Sequence, residues 1–171
     1  MLRRLPKILK FIPGKSQDLR AWFLAMQYWL GGTDENIESM LRFLISRYSS
    51  VEGWRGRKTE LPKEYPDVGL YHPHSDGKIL TSIEDLPKLE NPAGTIGILL
   101  MRSYVLSGDT AHYDAVIKRF TEENIQVIPA FSGGLDARPA IEKYFKNSEK
   151  PVIDGLLSLT GFSLVGGPAY N

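Results

Sequence analysis

Apolar positions along this chain follow two different periods. Between residues 16 and 50 they recur at helical spacing: Leu19, Trp22, Phe23, Met26, Trp29 and Leu30 share one face, and Ile37, Met40, Leu41, Leu44 and Tyr48 share another. Ser16 stands where a helix cap belongs. Gly31-Gly32 supplies residues that accept left-handed backbone, and Thr33 with Asp34 and Glu35 behind it starts a second helix. The pattern predicts a helical hairpin with both stripes in the core. From Gly94 onward the apolar residues instead form short, mostly unbroken runs: Thr95 to Met101, Gln126 to Phe131 and Ile153 to Leu159. Such runs suit strands buried on both faces, as in parallel sheets. The stretch from Asp109 to Glu123 carries Val116, Ile117 and Phe120 on one helical face, with Asp109 or Thr110 to cap it. Arg138 to Phe145 has Pro139 in its first turn and Ile141, Tyr144 and Phe145 as its stripe. Strands joined by helices return parallel, and right-handed crossovers are expected to put both helices on one face of the sheet.

Periodicity fades between Val51 and Ala93, where Pro62, Pro66, Pro73, Pro87 and Pro92 remove amide donors. This stretch is expected to be an extended connector with a short strand at Val68 to Tyr71. The chain therefore divides into a helical segment (residues 1–50), a proline-rich connector (51–93) and a partial α/β domain (94–171). The fold class is α/β: a helical hairpin plus a partial open parallel sheet with flanking helices, half of a flavodoxin-like or Rossmann-like sheet. Because the chain closes shortly after the third apolar run, it reads as a piece of something larger.

Composition narrows the function. The 171 residues are 42% hydrophobic, enough for a real core, and 21 basic against 20 acidic residues give no excess for a nucleic-acid partner. Arg3, Arg4, Lys7 and Lys10 form a local basic cluster interrupted by Pro6 and Pro13, read as a solvated or partner-facing surface. With no cysteine there is no disulfide, thiolate zinc site or thiol nucleophile. No apolar stretch reaches the roughly 20 residues that span a bilayer, and Lys7 and Lys10 break the N-terminal run before it forms a signal-peptide core. A soluble, cytoplasmic protein is expected.

In open parallel sheets, ligands bind beyond the carboxyl ends of the strands. Here those ends are followed by Arg102-Ser103-Tyr104, Ser132-Gly133-Gly134 and Thr160-Gly161-Phe162, with His112 on the opening turn of the first crossover helix. Arg102, Ser103, Tyr104, His112, Ser132 and Thr160 are the candidate ligand-binding residues. Arg102 is suited to a carboxylate and Tyr104 to an apolar ring face. Read as ordinary turn residues, they would instead carry no function. The chain lacks the Gly-x-Gly-x-x-Gly spacing of a dinucleotide site and the Gly-x-x-x-x-Gly-Lys-Ser/Thr loop of a nucleotide triphosphate site, so ATP binding by the chain itself is not expected. His72-Pro73-His74 with Asp76 has too few well-placed donors for a transition metal and reads as a loop whose imidazoles hydrogen-bond locally. No nucleophile elbow, paired-carboxylate dyad or Ser-His-Asp order is present, and no catalytic or metal-binding residue is assigned.

Three segments carry a resemblance. Leu5-Pro6-Lys7-Ile8-Leu9-Lys10-Phe11-Ile12-Pro13 with Ala25-Met26-Gln27-Tyr28-Trp29-Leu30-Gly31-Gly32, then Met101-Arg102-Ser103-Tyr104 with Asp109-Thr110-Ala111-His112-Tyr113, and finally Ser158 through Ala169 resemble, in order, the N-terminal portion of the large, porphyrin-binding subunit of magnesium chelatases. Gly69-Leu70-Tyr71-His72-Pro73 is similar to the related cobaltochelatase large subunit, the nearest competitor. The resemblance implies insertion of Mg²⁺ into protoporphyrin IX on the route to chlorophyll and bacteriochlorophyll, in the cytoplasm or the chloroplast stroma. It implies partner subunits of the AAA+ type that hydrolyse ATP, and residues of metal insertion outside this chain. The alternatives are a cobaltochelatase fragment or a non-catalytic module binding a small ligand or a partner.

Overall fold

A helical hairpin and an α/β sheet are the two units of this protein, Met1–Tyr65 and Pro66–Asn171. The computed structural model describes residues 5–148 and 150–164. Arg3 and Arg4 of the basic cluster, and Val165 to Ala169 of the closing motif, lie outside the described residues.

In the first unit a short helix α1 (Leu5–Leu9) precedes the hairpin of α2 (Ser16–Gly31) and α3 (Asp34–Tyr48). The stop between them is the one its glycines predict. Gly32 adopts φ 62°, a left-handed conformation that side chains resist, and donates its amide to the Tyr28 carbonyl. Thr33 caps α3 by accepting the Asn36 amide at 3.3 Å. Ser16, by contrast, is the first helical residue of α2; Lys15 holds the cap position and contributes no side-chain bond. The buried face also departs from expectation. Ala21, Leu24 and Tyr28 are buried, whereas Leu19, Trp22, Trp29 and Leu30 are exposed. On α3 the buried positions are the polar Asn36 and Ser46, not its apolar stripe. Asn36 Nδ2 donates to the Lys63 carbonyl and Asn36 Oδ1 accepts the Lys63 amide, both at 2.9 Å. Residues 57–63 are thus fastened to the hairpin by satisfied buried polar groups, with Tyr28 donating its hydroxyl to the Glu60 carbonyl.

The second unit is a five-stranded sheet. β1 (Val68–Tyr71) and β2 (Ile79–Leu80) form an antiparallel pair, and β1 pairs antiparallel with β4 (Ile125–Ser132). β4 is parallel to β3 (Gly94–Met101), and β3 is parallel to β7 (Gly155–Ser158). The order is β2-β1-β4-β3-β7. The three parallel strands form as their apolar runs predict, and so does the strand at Val68. A two-stranded β5 (Lys146–Asn147) and β6 (Lys150–Pro151) ribbon lies between β4 and β7 in sequence.

That order overturns the expected placement of the helices. The chain passes from β3 to β4 on one side and then back across β3 to β7 on the other. Right-handed crossovers in opposite directions put their helices on opposite faces. Accordingly α5 (Ala111–Glu122) supplies Tyr113 and Ile117 to a core with Ile98, Leu100, Val127 and Phe131. The segment α6 (Arg138–Ala140), continued as a π turn over Ile141–Phe145, supplies Ala140, Tyr144 and Phe145 to a separate core with Leu99, Ile128 and Ala130. On that face a Cβ on Gly97 would stand 2.9 Å from both Phe145 Cζ and Ile153 Cδ1, so the glycine seats the Phe145 ring against the sheet. β7 differs from expectation too. It is an edge strand with Leu156 exposed, because only β3 borders it among the described residues.

Candidate functional site

The strand order creates a reversal at the carboxyl end of β3: one connection leaves toward β4 and the other returns at β7. Open α/β sheets bind ligands in the crevice outside such a point. Three of the six candidates follow β3 directly. The helix α4 (Arg102–Ser107) starts on the residue after the strand, so Arg102, Ser103 and Tyr104 form its first turn rather than a free loop. Arg102 Nε donates to the Pro66 carbonyl at 2.9 Å, which fixes the root of the guanidinium beside the strand end. Ser103 is exposed.

Tyr104 is 44% exposed and part of an aromatic cluster. Its ring meets His112 edge-on, centroids 5.5 Å apart, and Tyr113 edge-on at 6.2 Å; His112 and Tyr113 are 3.9 Å apart. Tyr113 is the anchor. Buried under α5, it accepts the Met101 amide at 3.1 Å and so ties the end of β3 to the start of α5, while burial pushes its phenol above the ordinary range. Sequence spacing singled out His112 but not Tyr113, whose hydroxyl reaches back to a strand end.

The other two candidates stand on neighbouring strand ends. Ser132 is in register with Met101 at the close of β4. Thr160 lies past β7 and is engaged in its own turn: its Oγ1 is 3.0 Å from Ser158 Oγ and accepts the Phe162 amide at 3.2 Å. The structure joins Tyr104 and His112 directly and sets Arg102, Ser103 and Ser132 around the same strand ends.

A second polar cluster had no sequence signal beyond a Thr-x-x-x-Asp spacing at a helix start. Tyr71 of β1 places its hydroxyl 2.6 Å from Asp114 Oδ1 and 2.9 Å from Thr110 Oγ1. The single phenol proton goes to the carboxylate, the stronger acceptor. Thr110 thus sits at the cap position of α5 but turns its hydroxyl to this cluster instead of capping the helix. Desolvation first, then the bond to Asp114, pushes the Tyr71 phenol up to about 12. The neighbouring His72 is buried, and burial, followed by the nearby His74, pushes its imidazole down. His72 Nδ1 accepts the His74 amide at 3.3 Å, the local bonding expected of this loop. Among the described residues no three histidines or carboxylates come together to hold a metal ion.

Two clefts of this unit lie at the opposite, amino edge of the sheet. One of about 500 Å³ is lined by Ile83, Leu86, Ile128 and Val152 with Lys88 and Lys146 among its polar residues; another of about 180 Å³ lies beside His72, Ile117 and Val127.

Comparison with known proteins adds the decisive observation: the profile described as CobN/Magnesium Chelatase matches residues 26–171. The chain belongs to the CobN/magnesium chelatase family. Residues 1–23 match a domain family of unknown function, DUF3479. Two magnesium-chelatase subunits of this family are similar over all 171 residues, at 61% identity for the one from Rhodobacter capsulatus and 58% for the one from Cereibacter sphaeroides. The chain spans 14% of the length of each. Among solved structures, the catalytic subunit of cobaltochelatase from Mycobacterium tuberculosis matches with a TM-score of 0.45 and 17% identity, over 72% of this chain and 10% of that one. No described helix is long and apolar enough to cross a membrane.

Proposed function

We propose that this chain is a segment of the large, porphyrin-binding subunit of a magnesium chelatase. In that assembly Mg²⁺ is inserted into protoporphyrin IX on the way to chlorophyll or bacteriochlorophyll, in the cytoplasm or a plastid stroma. ATP is hydrolysed by AAA+ partner subunits, which accords with a sequence that has no phosphate-binding loop. Identity of 61% and 58% to magnesium-chelatase subunits across the whole chain favours magnesium over cobalt as the inserted metal.

Within the segment, the carboxyl edge of the sheet is the porphyrin-contacting surface, and the single observation behind this reading is Tyr104. A partly exposed aromatic ring held edge-on by His112 and Tyr113 at the strand-order reversal offers a rigid platform for a flat macrocycle. Arg102, rooted on the Pro66 carbonyl, brings a cation within one turn of that ring for a propionate, while Ser103, Ser132 and Thr160 add hydroxyls along the strand ends. Steady-state assay of the assembled chelatase tests it. Tyr104→Ala in the full-length subunit is expected to raise the KM for porphyrin about tenfold, the loss of roughly 1.4 kcal/mol of ring contact, with the ATPase rate unchanged. An unaltered porphyrin KM in a folded variant contradicts the assignment. The amino-edge cleft with Lys88 and Lys146 favours a second reading, a small-ligand site there, for which Tyr104→Ala would be silent.

A further inference from the structure

The hairpin in the first unit buries one side of α2 and leaves the more apolar side in water. At 100° per residue, Ala21, Leu24 and Tyr28 project together into the packed side, and Leu19, Trp22 and Trp29 project together on the opposite one. Trp22 is 53% exposed and Trp29 is 60% exposed. Indole rings of this size supply much of the energy of cores and interfaces, and two of them on one helical stripe form a contiguous apolar patch rather than scattered surface residues. Ile8 and Phe11, before α2, are exposed as well. The stripe that the sequence marks as core is therefore correctly apolar but stands exposed among the described residues.

We infer that this face of α2 is an internal packing surface of the full-length subunit, covered by polypeptide of the same subunit from beyond residue 171. The inference rests on the reading of the chain as a segment of a chelatase large subunit. Its occupant is named by length: the chain accounts for 14% of its relatives, so most of such a polypeptide is tethered to this hairpin. A tethered segment meets the patch at an effective concentration that no free partner matches. A heptad-like spacing of Leu19, Trp22, Met26 and Trp29 further suits a helix or sheet face laid along it.

Photo-cross-linking of the full-length subunit tests the inference. With benzoylphenylalanine in place of Trp22 or Trp29, irradiation is expected to give intramolecular cross-links, with no gain in mass on a denaturing gel and partner peptides that map beyond residue 171. Cross-links to residues 66–171, to a second copy or to a co-purifying protein overturn it, as does the absence of any cross-link. Hydroxyl-radical footprinting of the unsubstituted full-length subunit keeps the test independent of the replacements. Trp22 and Trp29 are expected to oxidise at least tenfold more slowly than in the urea-unfolded subunit. Rates near the unfolded value, or protection that appears only when lipid vesicles are added, overturn it. Failure of the underlying reading is distinguishable, since the intact mass of the gene product would then correspond to a polypeptide ending near Asn171.

Discussion

Tyr71 shows how much one hydroxyl can fix. It is buried in the sheet, yet its hydroxyl donates to Asp114 Oδ1 across an oxygen–oxygen distance of 2.6 Å, so the strand β1 is bonded to the first turn of α5 across the core. Hydrogen bonds to a charged acceptor contribute more than neutral ones, and removing one partner leaves the other desolvated. Tyr71→Phe is expected to cost about 1–3 kcal/mol in chemical denaturation at neutral pH. The same group sets an alkaline limit. Its folded-state value of about 12 lies above the ordinary 10, so the folded protein holds the proton more tightly; the stabilisation is complete below pH 10 and is lost as pH rises from 10 to 12. Denaturation midpoints measured across that window should fall steeply in the wild type and more gently in Tyr71→Phe. Parallel slopes would mean that the Tyr71 proton contributes nothing. None of this was legible in the sequence, where a tyrosine in a short strand and an aspartate on a helix are 43 positions apart. Tyr113 escaped notice for the same reason: its partner is the Met101 backbone amide, and spacing rules describe side chains on one element, not bonds between elements.

At the scale of elements, local chemistry was legible where a residue acts on its own backbone. Gly32 needs its left-handed angle and Thr33 needs only the amide three residues on, so the break between α2 and α3 followed from the sequence. The strands followed from their uninterrupted apolar runs. The start of α2 did not, since Ser16 could cap and yet lies inside the helix. Which side of α2 is buried was also read wrongly, because a hydrophobic stripe says that a face seeks a partner and not that the partner lies within these residues. The covering of the sheet depends on close approach. Gly97 admits the Phe145 ring and the Ile153 methyl at distances no side chain would tolerate, so Gly97→Val is expected to destabilise the second unit by about 1–3 kcal/mol through overpacking. Thermal unfolding measures this, and a Tm equal to wild type would show that the π turn and β7 shift aside without cost.

For the molecule as a whole, fold class and parallel pairing were accessible from pattern, whereas strand order was not. Handedness fixes the face of each crossover helix only after the direction of each crossover is known, and nothing in the apolar runs says that β7 returns across β3. That single topological fact moved α6 to the opposite face from α5 and created the reversal beside Arg102 and Tyr104. The candidate site was legible as a set of strand-end residues; the clustering of Tyr104 with His112 and Tyr113 required the fold. The chain spans 14% of the length of the family relatives it matches, and on the proposed reading its chemistry is to be measured in the full-length subunit. The most direct measurement is equilibrium titration of the full-length subunit with a soluble porphyrin, followed by fluorescence quenching, for wild type, Arg102→Ala and Tyr104→Ala. Weakening by about tenfold or more in each variant, with unchanged circular dichroism, is the predicted result. Wild-type affinity in both folded variants would contradict a porphyrin surface at the carboxyl edge of this sheet.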